Sequence, residues 1–297
     1  MGNIRVGTCS WADKTMIEAW YPAGLKNAAE RLGYYAAHFD TAEVDSSFYG
    51  LPSERNAQLW VERTPAGFVF HVKAFAMMTR HAVRPQQLPA ALRESHELEF
   101  DRYGRVKHPT GALRPAVFDW FSSALAPLRE AGKLGVVLLQ FPPYFVANQL
   151  NRDYLLWAAE KLRPDPVAIE FRHVSWVEPD EWPRTLDLLA DHGLSYVGVD
   201  VPRFKAKNAL PPLTAATALI GYVRLSGRNA KTWNARVSSA AERSKYLYAD
   251  EELQEWVEPL QNMAEDTETT YAMFNNCYRD YAPRNADQLK ALLAASA

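Results

Sequence analysis

Eight short apolar runs recur along this chain, each parted from the next by a longer stretch, and nothing else in the sequence narrows the fold so far. Strand-length runs alternating with helix-length amphipathic segments are what a parallel sheet with helical crossovers requires. The candidate strands are Ile4–Cys9, Thr41–Val44, Val69–Lys73, Gly135–Gln140, Val167–Arg172, Tyr196–Asp200, Gly221–Leu225 and Thr270–Asn275. Eight strands close a TIM-type (β/α)8 barrel, and no repeat, low-complexity tract or long linker divides the chain. A single α/β barrel domain over residues 1–297 is therefore expected.

Helices are predicted between the strands. One runs from Asn27, whose Glu30 completes a capping box, to Phe39, and another from Ser53 through Arg63. Val117–Ala131 follows, with Pro127 as a kink, then Arg152–Leu162, Asp180–His192 stopped by Gly193, Asp250–Ala264 and Asn285–Ala295. The link Val201–Thr217 yields no clean helix. The segment at about 80–115, after the third strand, also breaks the alternation. A hairpin over Glu99–His108, turned at Gly104, is expected within it, as either a lid over the barrel or a surface excursion.

Composition excludes some classes. A hydrophobic content of 48% with nine Trp supplies a sizeable core, and a net charge of −2 advertises no broad basic surface for a duplex. No apolar run approaches the ~18 residues of a membrane span, and no charged-then-apolar leader precedes Ile4, so no membrane partner is expected. Two cysteines are too few for a disulfide scaffold, and a cytoplasmic location is the expectation. In a closed ring Cys9 and Cys277 should lie near each other, without a redox role. The sequence leaves the oligomeric state open.

Side-chain parity along the strands picks out the candidate site. If Ala42/Val44, Phe70/Val72, Val197/Val199, Val223/Leu225 and Ala272/Phe274 face the helices, the opposite parity turns polar groups inward. These are Glu43, Asp45, His71, Lys73, Gln140, Glu170, Arg172, Asp200, Arg224 and Asn275, gathered at the strands' C-terminal ends, where barrel active sites lie. Unpaired buried charge costs several kcal/mol, so such a gathering is either a site or a salt-bridge plug. Trp11, Tyr49, Trp176 and Trp233, just past strand ends, suit stacking on a flat ligand or closing a core. Ser226-Gly227-Arg228-Asn229 follows the seventh strand, where barrel phosphate sites are common, and Lys73, Arg172, Arg224 and Arg228 together favour an anion. His173 is a candidate acid/base or a hydrogen-bonded structural residue.

Four carboxylates would suit Mg²⁺ or Mn²⁺, but no His-x-His or His-x-x-x-His spacing exists, and no metal or other cofactor is predicted. Dinucleotide, phosphate-loop and serine-elbow motifs are missing too.

Assembled, these residues resemble the YecE-like family, the domain of unknown function 72, from about Val6 to Leu289. The resemblance rests on Gly7-Thr8-Cys9-Ser10-Trp11, Glu43-Val44-Asp45-Ser46-Ser47-Phe48-Tyr49, Phe70-His71-Val72-Lys73-Ala74 and Leu139-Gln140-Phe141-Pro142-Pro143. It continues through Glu170-Phe171-Arg172-His173-Val174-Ser175-Trp176, Val223-Arg224-Leu225-Ser226-Gly227-Arg228-Asn229 and Phe274-Asn275-Asn276. It implies a (β/α)8 barrel and no established reaction. Where the family usually shows Asn, His and Pro, this chain has Asp45, Ser226 and Val174.

The expected function is that of an enzyme acting on a small phosphorylated or carboxylated substrate by carboxylate/Lys acid–base chemistry. Glu170 would be acid or base held by Arg172, with Lys73 stabilising negative charge or acting as base. Glu43, Asp200 and His173 would assist. Arg224 and Arg228 would hold the anion, and Asp45, Gln140, Asn275 and the aromatics would line the site. The alternatives are a nucleic-acid binder or nuclease using the same mouth, and a non-catalytic small-anion sensor.

Overall fold

The computed structural model describes residues 2–107, 111–235, 242 and 244–296. Its strands are β1 (Asn3–Thr8), β2 (Thr41–Val44), β3 (Val69–Lys73), β4 (Leu134–Gln140), β5 (Val167–Glu170), β6 (Ser195–Asp200), β7 (Ile220–Leu225) and β8 (Thr269–Phe274). All pair in parallel, each with the next, and β8 returns to β1 with Thr8 beside Phe274. The result is the closed TIM-type barrel, with apolar side chains of strands and helices packed between ring and shell.

The helices form where capping and periodicity place them. Asn27 accepts from the Ala29 and Glu30 amides while Glu30 reaches back to the Asn27 amide, which starts the helix Ala28–Ala36. The stretch expected as one helix over Val117–Ala131 is two, Leu113–Ala124 and Ala126–Glu130, broken at Leu125. Pro127, which has no amide hydrogen, sits in the first turn of the second piece, where that hydrogen would have no intrahelical partner. Asp250–Ala264 likewise divides into Asp250–Gln254 and Val257–Glu265. Among the described residues no helix is long and apolar enough to cross a membrane.

The segment after β3 carries a short helix, Ala90–Ser95, and then reverses. Phe100 bridges Val106 in antiparallel fashion, Lys107 N–H donates to the Glu99 carbonyl, and Gly104 takes φ 68° at the turn. His108, the far end of the expected hairpin, lies outside the described residues.

One strand departs from the expected parity. Val199 pairs with Arg224 and Asp200 with Leu225, so Val197 and Val199 face the barrel axis and Asp200 faces out. The cause lies in the link after β6. A Cβ on Gly198 would stand 2.9 Å from the Leu213 carbonyl oxygen, so the helix-free link lies directly on the strand and only glycine fits outward there. With a glycine outside, the apolar pair goes inside.

The barrel's middle holds His71, fully buried against Tyr222 and Tyr271. Between Phe70 and Val72 the β3–β4 register shifts by one residue, and the Val136 N–H thereby donates to His71 Nδ1 at 3.1 Å. Nε2 then carries the ring proton and donates to Thr41 Oγ1 (3.0 Å), whose own hydroxyl donates to the Val69 carbonyl. Gly135 makes the space: a Cβ there would come 2.5 Å from the imidazole. Gly135→Ala should therefore cost about 1–3 kcal/mol as an overpacked interior, read as a lower urea midpoint. An unchanged midpoint would show that the ring can move aside.

Candidate functional site

Arg224 is the centre of the C-terminal mouth. Projecting inward from β7 and fully buried, it donates through Nε and Nη2 to both oxygens of Glu43 (3.0 and 2.7 Å) and through Nη1 to Glu170 Oε2 (2.6 Å). Register explains the convergence, since Glu43, Glu170 and Arg224 all occupy inward positions near strand ends. Tyr222, two residues earlier on the same face, adds its hydroxyl to Glu43 Oε2 (2.9 Å). Glu170 Oε1 accepts from Gln140 Nε2 (2.8 Å) and lies 2.7 Å from Arg172 Nε. Both carboxylates are thus hydrogen-bonded on each oxygen and sealed from solvent.

Their proton affinities part. Burial disfavours the charged form of both. At Glu170 the cations Arg172, Arg224 and Lys73 outweigh it and hold the carboxyl at about 2. At Glu43 burial prevails over the pull of Arg224, with Asp45 adding to it, and the carboxyl sits above its ordinary range. Glu170, expected as acid or base, is an anchored anion here, with Gln140 and Arg172 on Oε1 and Arg224 on Oε2.

Above this floor lie the buried Lys73 and the partly exposed Asp45 and Arg172. Lys73 Nζ is 2.6 Å from Asp45 Oδ1 and 4.6 Å over the Phe48 ring. Arg172 is a fifth exposed, at 19% of its side chain, and its guanidinium lies 5.1 Å over Trp233. A cavity of about 200 Å³ opens here, lined by His81, Gln140, Phe141, Pro143, Arg172, Asn208 and Trp233. Its one charged lining residue among those described is Arg172.

His81 was not singled out in the sequence. It stands at the start of the irregular segment after β3, where no periodicity points to it; its distance of eight residues from Lys73 was the available signal. Its Nδ1 lies 2.9 Å from Thr79 Oγ1, whose hydroxyl donates to the Ala76 carbonyl, so Nδ1 keeps the proton and Nε2 the lone pair. Burial, then Lys73 and Arg172, push the ring down to about 4, and it is neutral at pH 7.

Several expected members lie elsewhere. Asp200, on the outer face, is bound by Arg228 Nε (2.9 Å) and Trp256 Nε1 (3.1 Å), and Arg228 also meets Glu252 and Glu255. Arg228 is therefore neutralised away from the mouth. The Gly227 amide, expected to face an anion, donates to Tyr248 Oη. Trp176 is core, stacked on Phe171 at 4.2 Å and donating to the Phe145 carbonyl. Trp11 is core also, edge-on to Trp60 and Phe70. His173 accepts the Ser175 amide as a local cap, and Asn275 is tied to Ser226. Tyr49 stays exposed at the rim. Cys9 and Cys277 are free thiols, both pushed up by burial. No group of three or more His, Cys, Asp or Glu among the described residues is arranged to hold a metal.

Comparison with known proteins adds the following. The family model described as "Protein of unknown function DUF72" matches residues 5–297. The UPF0759 protein YunF of Bacillus subtilis (strain 168) is 30% identical over 98% of this chain and 94% of its own. A crystal structure of a DUF72 family protein from Thermotoga maritima MSB8 is 28% identical with a TM-score of 0.77, covering 98% of this chain and 99% of that one. Another, from Enterococcus faecalis V583, is 26% identical with a TM-score of 0.79, covering 98% and 95%.

Proposed function

This chain belongs to the DUF72 family, and from that premise we propose that its barrel is an enzyme acting on a small anionic molecule at the C-terminal mouth. The observation that carries the proposal is the cavity above Glu170, where a lone guanidinium, two amides, a neutral imidazole and two aromatic rings meet. A carboxylate or phosphate on Arg172, with the adjoining part of the molecule against Trp233, satisfies both kinds of surface. Glu170, itself held by Gln140, fixes the fork from below, so Arg172 is oriented before the ligand arrives.

His81 is the proposed base. Arg172 is among the groups that depress it, so an anion neutralising Arg172 raises the imidazole's affinity for a proton as the substrate binds. Lys73, paired with Asp45 beside it, would offset negative charge that develops in the reaction.

A thermal-shift screen of small carboxylates and phosphate esters against matched neutral compounds tests this. A ligand at 100 times its Kd stabilises the fold by about 2.7 kcal/mol, a shift of several degrees. Small carboxylates should raise the melting temperature of the wild type and not of Arg172→Gln. His81→Asn should keep the shift and lose turnover followed by mass spectrometry of the bound compounds. Neutral compounds acting as well as anions would remove the anion reading, and binding without product formation would leave a sensor.

A further inference from the structure

The segment after β3 roofs a second cavity, of about 400 Å³, that shares His81 with the mouth. Arg80, Arg105, Lys107 and Arg114 line it, and Asp101 is the one carboxylate on its wall among the described residues. Arg105 already occupies Asp101, Nη2 to Oδ2 at 2.7 Å, and Lys107 reaches the exposed Glu99 only at 3.4 Å.

Arg80 and Arg114 have no carboxylate partner among the described residues. Both guanidinium groups lie against the Tyr154 ring, 4.3 and 5.1 Å from its centroid. Arg80 Nη1 donates to the neutral Asn151 side chain, and Arg114 Nε is buried with no hydrogen-bond partner among the described residues. Burial, and then Arg114 as a like charge, press Arg80 below its ordinary pKa. Arg80 also holds φ 64°, a left-handed conformation that is costly for a residue with a Cβ, and Tyr144 fastens it by donating to its carbonyl at 2.7 Å. Two uncompensated forks fixed beside each other make sense when a third, negative group completes them.

We propose that this cavity binds the phosphoryl group of a small phosphate ester, held by Arg80, Arg114 and Lys107, while the rest of that molecule passes His81 into the mouth. Paired guanidinium forks plus an ammonium offer donors to three oxygens, which a phosphoryl group presents and a carboxylate does not. The second half of the proposal rests on the mouth being the reacting site; the first half stands without it.

Calorimetric titration of the full chain with inorganic phosphate and with phenyl phosphate separates the two. Wild type should bind both, phenyl phosphate more tightly. Arg114→Gln and Arg80→Gln should each weaken inorganic phosphate by about tenfold or more, and the exposed Lys107→Gln, which cannot disturb folding, by about threefold. Arg172→Gln should leave inorganic phosphate unchanged and remove only the extra affinity for the ester. Without ligand, Arg114→Gln should melt no lower than wild type, because it relieves repulsion on Arg80; a merely structural arginine would lower it. No phosphate binding by wild type at about 10 mM, or equal binding by the arginine variants, overturns the site. Equal affinity for the two probes overturns the ester and leaves a site for free phosphate.

Discussion

Arg224→Met should destabilise the protein by about 3–5 kcal/mol, the largest loss expected of any single change in the mouth. Three of the arginine's nitrogens are engaged, and both carboxylates it bridges are closed to solvent. Glu170 keeps Arg172 and Gln140, but Glu43 is left with the Tyr222 hydroxyl alone. Water cannot replace the lost donors, so the variant must fold around an unpaired anion or protonate it. That choice fixes the sign of the pH dependence. In the wild type Glu170 is held at about 2, below the ~4.3 of an unfolded chain, so its stabilisation is present above ~4.3 and lost as pH falls through 2. In the variant the folded pKa of Glu43 rises further above the unfolded value, and its stability relative to wild type increases as pH is lowered from 8 towards 5. Urea midpoints across that range measure both effects. Adding Glu43→Gln should recover much of the loss, since it removes the buried charge rather than the contact. A variant with an unchanged midpoint, or one whose deficit relative to wild type grows on acidification, would show that the three groups do not depend on one another.

That network was legible before any coordinates because parity is a strong constraint where a strand has one apolar face. Glu43, Lys73, Glu170 and Arg224 alternate with small or branched apolar residues, and the register brings them together. The same rule misplaced Asp200, since β6 is apolar on alternate positions yet bears a glycine outside, and which face the valines take depends on the link lying over Gly198. Aromatics past strand ends carry even less information. Trp176 and Trp233 have the same chemistry, but one is stacked in the core and the other lies under Arg172, a difference set by neighbours far away in sequence. The family resemblance, the eight strands and the closed ring agree with what the structure and its relatives show. His81 and the Arg80–Arg114 pair were out of reach for a different reason. They lie on or beside the irregular segment after β3, whose course is decided by contacts such as Val106 with the Val83 carbonyl rather than by any period.

His71 should make the protein sensitive to acid, and replacing it should flatten that sensitivity. Burial first, and Arg5 second, push the imidazole down to about 3, against about 6.5 in an unfolded chain. Between those values the unfolded state binds a proton that the folded state refuses. Stability from this group is therefore complete above about 6.5 and is lost as pH falls toward 3, at about 1.4 kcal/mol per pH unit and several kcal/mol in all. The refusal has a structural cause: Nδ1 must stay a lone pair to accept the Val136 N–H, so protonation would set two donors against each other inside a sealed barrel. A His71→Gln variant keeps an acceptor for that amide but cannot titrate. Its stability should lie below wild type at pH 7.5, because the ring's contacts with Tyr222 and Tyr271 are gone. As pH falls from 6.5 to 5 the two stability curves should draw together by about 2 kcal/mol, other groups cancelling in the difference. Curves that stay parallel would mean that His71 takes its proton in the folded state, and that the bulge at Gly135 yields to let it.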